Sequence, residues 1–163
     1  MAFVYLFENI EVWKLAKEIT INIYQITNEF PDSEKDTLAS RIKNCAITAT
    51  SSIAEGTTRL NKMEQAKYTQ DAFSAAIELL CLLMIANDLG LLSEEELGEI
   101  REKIEVLTGK LNGLRKYQMQ KTQIQRSIKQ PPKPRTEYNR YNTSSNYYNQ
   151  EPTKYPISNW EDL

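Results

Sequence analysis

Residues 51–60 read S-S-I-A-E-G-T-T-R-L, and the fold turns on whether they form a reactive loop or the end of a helix. As an active site the stretch lacks a base: the chain has no histidine, and no lysine follows before Lys62. As a phosphate loop it fails on spacing. One glycine is not G-x-x-x-x-G-K, and Gly56 follows a helical pattern rather than a strand. The helical reading is simpler. Ile53 is the last core position, Gly56 gives a left-handed stop, and residues 57–60 make the turn. Glu55 is then the oddity, because a carboxylate in the last turn meets the negative end of the helix dipole. Its expected partner is Arg59 or a donor across the turn.

Upstream of this stop, residues 34–55 carry Leu38, Ile42, Cys45, Ala49 and Ile53 on one face, with small side chains that let neighbours approach closely. Ser33 is a candidate cap for this helix, with Asp36 three residues on. F-P-D-S (30–33) separates it from a first helix over residues 8–28, because the residue before a proline avoids helical angles. That helix aligns Ile10, Trp13, Ala16, Ile19, Ile23 and Ile26.

Downstream, Asn61 caps a third helix over residues 62–89, with Phe73, Ile77, Leu80 and Met84 as its stripe. Its run I-E-L-L-C-L-L-M-I-A (77–86) is apolar on almost every side, which calls for a second contact beyond one core, most simply another subunit. Gly90 ends it. A fourth helix opens on a Ser93/Glu96 capping box followed by Leu97, Ile100, Ile104, Leu107, Leu111 and Leu114. Its pattern reaches about residue 118 and can extend through Ile124 and Ile128. Short connections favour antiparallel neighbours, so the expected fold is all-α, an up-down-up-down four-helix bundle over residues 1–118. Residues 119–163 read as a helix extension followed by a basic tail rich in Tyr, Asn and Pro. From residue 130 the tail has too few aliphatics to bury a core and is expected to be disordered.

Composition narrows the chemistry. Cys45 and Cys81 lack Cys-x-x-Cys spacing and read as small buried apolar residues in a reducing compartment, so no zinc site is expected. The N-terminus is short and lacks a basic leader, and no apolar run approaches the roughly 20 residues of a spanning helix, so a cytoplasmic protein is expected. Net charge is −2 but uneven. Residues 1–117 hold 13 Lys/Arg against 18 Asp/Glu, a balance of −5, and residues 118–163 hold 7 against 4, a balance of +3. No nucleophile–base pair or ligand set for a metal or cofactor stands out, so a non-catalytic protein is expected.

The remaining candidates are cations. Arg41 and Lys43 lie off the core stripe of the second helix, and Arg59, Lys62 and Lys67 cluster about the turn that follows. Lys121, Arg126, Lys129, Lys133, Arg135 and Arg140 run into the tail, interleaved beyond residue 137 with Tyr138, Tyr141, Tyr147 and Tyr148. Such residues can hold phosphates while rings stack bases, although a solvated charged surface is the usual explanation for them. Glu78, a carboxylate inside the apolar run, is either buried with a hydrogen-bond partner or on a thin solvated strip. S-N-W-E-D-L (158–163) has the look of a short docking peptide.

Three stretches together resemble a known family. They are F-E-N-I-E-V-W-K-L-A (7–16) with Tyr24, Thr27 and Phe30-Pro31; L-A-S-R-I-K-N-C-A-I-T-A-T-S-S-I-A-E-G (38–56); and Ala72, Glu78, Leu79, Ala86, Leu89 and Gly90. The chain is similar over about residues 7–117 to the four-helix-bundle proteins encoded in intervening sequences of bacterial 23S rRNA genes. That family includes the accessory variability determinants of diversity-generating retroelements. The resemblance implies an antiparallel bundle assembled as a homopentameric barrel, without enzymatic activity. Through the accessory determinants it implies nucleic-acid binding and a reverse transcriptase partner. The chain departs from the family pattern at Asn44, where a second basic residue often follows the first, at Thr50, where proline is common, and at Ser52, where asparagine is common. The alternative function is a multimeric scaffold that displays its C-terminal tails to a protein partner.

Overall fold

The periodicities above become four long helices in the computed structural model, which describes residues 3–129 and side chains as far as Lys121. These are α1 (Glu11–Asn28), α3 (Leu38–Thr57), α4 (Lys62–Asp88) and α5 (Glu94–Lys129), with a single-turn α2 (Asp32–Lys35) between the first two. No strand occurs among the described residues. The expected disorder beyond residue 130 lies outside them.

The first helix starts later than its sequence pattern. Leu6–Asn9 close a tighter 3-10 turn, and Ile10 is extended, so the α-helix begins at Glu11. Ala16, Ile19, Ile23 and Thr27 are buried along it. Thr27 is tolerated there because its hydroxyl donates to the Ile23 carbonyl at 2.6 Å.

The second helix is broken where continuity was expected. Thr37 leaves helical angles (φ −110, ψ −100), and its hydroxyl donates back to the Glu34 carboxylate at 2.9 Å. Such local bonds compete with helix propagation. Ser33 therefore lies inside α2, which follows Pro31, and caps nothing. Beyond the break, α3 buries Ala39, Ile42, Cys45, Ala46, Ala49, Ser52, Ile53 and Gly56.

The core face of α4 is rotated from the expected stripe. Ala72, Ala75, Ala76, Leu79, Leu83 and Ala86 are buried, Phe73 and Leu80 are half-buried, and Ile77 and Met84 are exposed. Alanines admit α3 closely, so four of them share the core face with Leu79 and Leu83, while Ile77, Met84, Ile85 and Leu89 look outward. Ile77, Met84, Ile85 and Leu89 thus leave an apolar strip exposed on the outer side, with Cys81 among them. Cys45 is buried as expected, and Cys81 is not. At 27 residues, with a stretch of mean hydropathy 1.5, α4 is also long and apolar enough to cross a bilayer, contrary to the sequence expectation. It packs instead on both α3 and α5.

The last helix keeps its register. Ser93 and Glu96 form the capping box, with the Ser93 N–H donating to the carboxylate at 3.0 Å and the Glu96 N–H to the Ser93 hydroxyl at 3.3 Å. Leu97, Ile100, Ile104, Leu107 and Leu111 are buried, Leu114 is half-buried, and α5 continues to Lys129. Lys103 and Lys110 of α5 meet Glu18 and Glu11 of α1 at 2.9 and 2.8 Å, in reverse order along the two helices. The Thr20 hydroxyl meets that of Thr50 at 2.8 Å, and the Thr69 hydroxyl donates to Gln118 at 3.0 Å.

The two expected glycine stops differ. Gly90 has φ +73, with its N–H donating to the Asn87 carbonyl and that of Leu91 to Ala86, a left-handed helix end that satisfies otherwise free carbonyls. Gly56 is still helical, and α3 ends past it at Thr57. Its lack of a side chain serves packing instead. A Cβ there would stand 3.1 Å from Tyr68 Cβ.

Candidate nucleic-acid interface

Lys62 and Arg59 sit at the end of the molecule where α3 turns into α4. Asn61 caps α4 by accepting from the Met63 N–H at 2.9 Å. Lys62 then donates to Gln65 at 2.8 Å, and the Gln65 amide donates to the Arg59 carbonyl at 2.6 Å, which fixes the turn. The Arg59 guanidinium donates to the Tyr68 hydroxyl at 2.5 Å and lies 4.9 Å from its ring centre. Tyr68 stands there because Gly56 leaves room for it. Arg59 is therefore committed to Tyr68 rather than to Glu55, and the Glu55 side chain is exposed.

Lys121 lies at the same end. The Thr69–Gln118 bond brings the early turns of α4 beside the later turns of α5, and Lys121 sits 5.4 Å from the Tyr117 ring centre. Residues 115–129 hold five Lys/Arg and no Asp or Glu. Cations in the C-terminal turns suit the helix dipole, but the dipole acts within the last turn, so Arg115 and Lys116 are unexplained by it. Among the described residues, neither they nor Lys67 has an ion pair or a hydrogen bond through the side chain. Arg126 and Lys129 lie on α5 beyond this point, while Lys133, Arg135 and Arg140 fall outside the described residues.

Arg41 and Lys43 are not part of this cluster. Arg41 is 16 residues before the end of α3, about 24 Å along its axis at 1.5 Å per residue. Its Nε donates to Glu78 Oε1 at 2.9 Å, and its Nη2 makes a second contact with the same oxygen. That bond, and then the charge of Glu78, raise the guanidinium further above its ordinary value. Glu78 is thus on a solvated strip with a partner of its own. Lys43 is half-buried 5.3 Å from the Tyr24 ring centre. Burial, and after it the Glu78 charge, push the neighbouring Cys45 thiol up to about 11, so it stays protonated at neutral pH.

A groove of about 390 Å³ opens between α4 and α5 within the basic end, lined by Met63, Ala66 and Met119 together with the polar Lys67, Gln70, Asp71 and Arg115. Sequence reading did not single out Arg115, Tyr68 or the groove itself. They depend on contacts between helices, although residues 115–129 already signal the charge.

Over the described residues, fold and site define the class: an all-helical protein with a cation-rich end. The chain belongs to the 23S rRNA-intervening sequence protein family, matched over residues 8–113. No curated protein matches it.

Proposed function

We propose that the chain is a non-catalytic, nucleic-acid-binding accessory protein that works as a homopentamer, with a diversity-generating retroelement reverse transcriptase as its partner. The reading takes the four long helices as an up-down-up-down antiparallel bundle, which the reversed Glu11–Lys110 and Glu18–Lys103 pairs support. The observation that carries it is the unbroken positive charge of residues 115–129, set beside Lys62 and Lys67. The family's rRNA-linked name agrees with it. Phosphate contacts fall to Lys62, Lys67, Arg115 and Lys121, helped by the cations from Arg126 to Arg140, and a ring of subunits repeats this patch and sums its field. Arg41 and Lys43 take a minor share, given their existing partners. A cytoplasmic location belongs to the same reading.

Intact protein titrated into labelled single-stranded RNA and DNA at low salt is the test. Binding should weaken steeply as salt rises, and no binding at low salt by the intact oligomer sinks the proposal. Association rests on the exposed Ile77, Met84, Ile85 and Leu89 strip, and the number five rests on the family resemblance alone. Light scattering should give five copies, and Ile77→Glu should dissociate them. A monomer at micromolar concentration refutes this part.

That same strip favours a second reading, a multimeric scaffold for a protein partner. Deleting residues 130–163 separates the two. The scaffold loses its partner in pull-down with nucleic-acid binding unchanged, whereas the first reading loses nucleic-acid affinity.

A further inference from the structure

The groove between α4 and α5 combines features that the phosphate-binding reading does not require. It is lined by two thioethers, Met63 and Met119, by the buried Ala66, and by Gln70, whose amide donates to the Ser74 hydroxyl at 3.2 Å. Polarizable methionine sulfur packs well on flat rings. Its edge holds Lys67 and Asp71, one helical turn apart on α4, and Arg115 from α5. Lys67 and Asp71 form no ion pair with each other, so both remain available to a ligand. Two cations against one carboxylate leave the site positive, which suits an anion, yet the carboxylate would repel a bare phosphate. The occupant must therefore be anionic at one point and a hydrogen-bond donor at another, with an apolar ring between.

We propose that this groove recognises a guanine base joined to a phosphate, an inference that rests on the nucleic-acid reading above. Guanine alone among the common bases presents two adjacent N–H donors on its pairing edge, and a carboxylate accepts both. Adenine and cytosine each set an acceptor beside a donor there, which a carboxylate rejects. Uracil has one donor flanked by two carbonyls. Asp71 accepts the guanine pair, Lys67 beside it turns from backbone phosphate to O6 when a guanine is present, and Arg115 across the groove holds the phosphate. Met63 and Met119 cover the ring. The base must be unpaired to enter, so the ligand is single-stranded, in keeping with how proteins read splayed bases.

The test uses the intact oligomer, an oligouridine, and the same oligouridine carrying one guanosine. Wild type should bind the guanosine strand roughly tenfold more tightly, a typical value for one well-made base contact. Asp71→Asn should remove that preference, raise oligouridine binding slightly because a charge that repels phosphate is lost, and favour an adenosine-bearing strand, since asparagine offers an acceptor and a donor side by side. Guanosine 5′-monophosphate is the second probe, read by methionine-methyl NMR. It should shift Met63 and Met119 and leave Met84, on the outer face of α4, unmoved.

Strands bound equally, with no methyl shift, overturn the inference while phosphate binding stands. Methyl shifts without any strand binding overturn the nucleic-acid reading instead and leave the groove a site for free nucleotide. A guanosine preference that survives Asp71→Asn overturns the assignment of Asp71.

Discussion

At one end of the molecule α2 and the first turns of α5 gather Asp32, Glu34, Asp36, Glu94, Glu95, Glu96 and Glu99 against Lys35; at the other, the α3–α4 turn, the first turns of α4 and the later turns of α5 gather Arg59, Lys62, Lys67, Arg115, Lys116 and Lys121 against Glu55, Glu64 and Asp71. Folding explains the acidic end except for Asp36 and Glu99, which have no ion pair or side-chain hydrogen bond among the described residues. Glu94, Glu95 and Glu96 lie in the first turn of α5, where they offset the positive helix end. Glu96 closes the capping box, and Asp32 pairs with Lys35 at 2.6 Å. At the basic end Arg59 and Lys62 have local partners, but Lys67, Arg115 and Lys116 have none among the described residues. Charge that folding does not use is the charge to test for binding.

The strongest way to break this contrast is charge reversal. Lys67→Glu, Arg115→Glu and Lys121→Glu together should lower nucleic-acid affinity by roughly a hundredfold at low salt, read by fluorescence anisotropy. Three matching reversals at the acidic end, in Asp32, Glu34 and Glu99, should not lower it.

The glycines sharpen the contrast in stability. Gly56→Ala presses a Cβ to 3.1 Å from Tyr68 Cβ, a crowding cost of about 1–3 kcal/mol set against about 1 kcal/mol of helix propensity regained, so a denaturant melt should show a small net loss. It should also loosen Tyr68 under Arg59. Gly90→Ala meets no neighbour within 4 Å but places a side chain at φ +73, which costs about 1–2 kcal/mol. Only the first substitution should disturb the basic end.

At the acidic end, Ser93→Ala should cost about 1 kcal/mol through the lost cap. The Ser93 hydroxyl, and then its N–H, hold the Glu96 carboxyl below the usual carboxylate range. That contribution to stability is present above the ordinary carboxylate pKa and is lost as pH falls through the lower folded value. A wild-type melt series in acid should show this loss, and Ser93→Ala, which removes the hydroxyl but keeps the backbone N–H, should show a smaller one. The smallest effect has the opposite sign. Gly98 and Gly109 are exposed in α5 with nothing within 4 Å, so alanine at either should stabilise by about 0.5–1 kcal/mol.

Features fixed within a few residues were legible in the sequence. Asn61, the Ser93/Glu96 box, the left-handed Gly90 and the α5 stripe all depend on neighbours one turn away. The face of α4 was not legible, because a reading that favours large residues passes over Ala72, Ala75, Ala76 and Ala86, and only the approach of α3 makes them the core. Gly56 looked like Gly90 because its true constraint, Tyr68, belongs to another helix. The same limit applies to the site. Arg59 and Lys62 were visible as neighbours, and Lys121 joined them only through the Thr69–Gln118 contact. Arg41 lost standing to Glu78, 37 residues away.

The salt dependence of nucleic-acid binding tests the central claim most directly, compared between wild type and the Lys67→Glu, Arg115→Glu, Lys121→Glu variant. If the basic end is the interface, log affinity falls linearly with log salt in the wild type, and the variant's slope is shallower by about one for each phosphate contact removed. Equal slopes and equal affinities for the two proteins would contradict it.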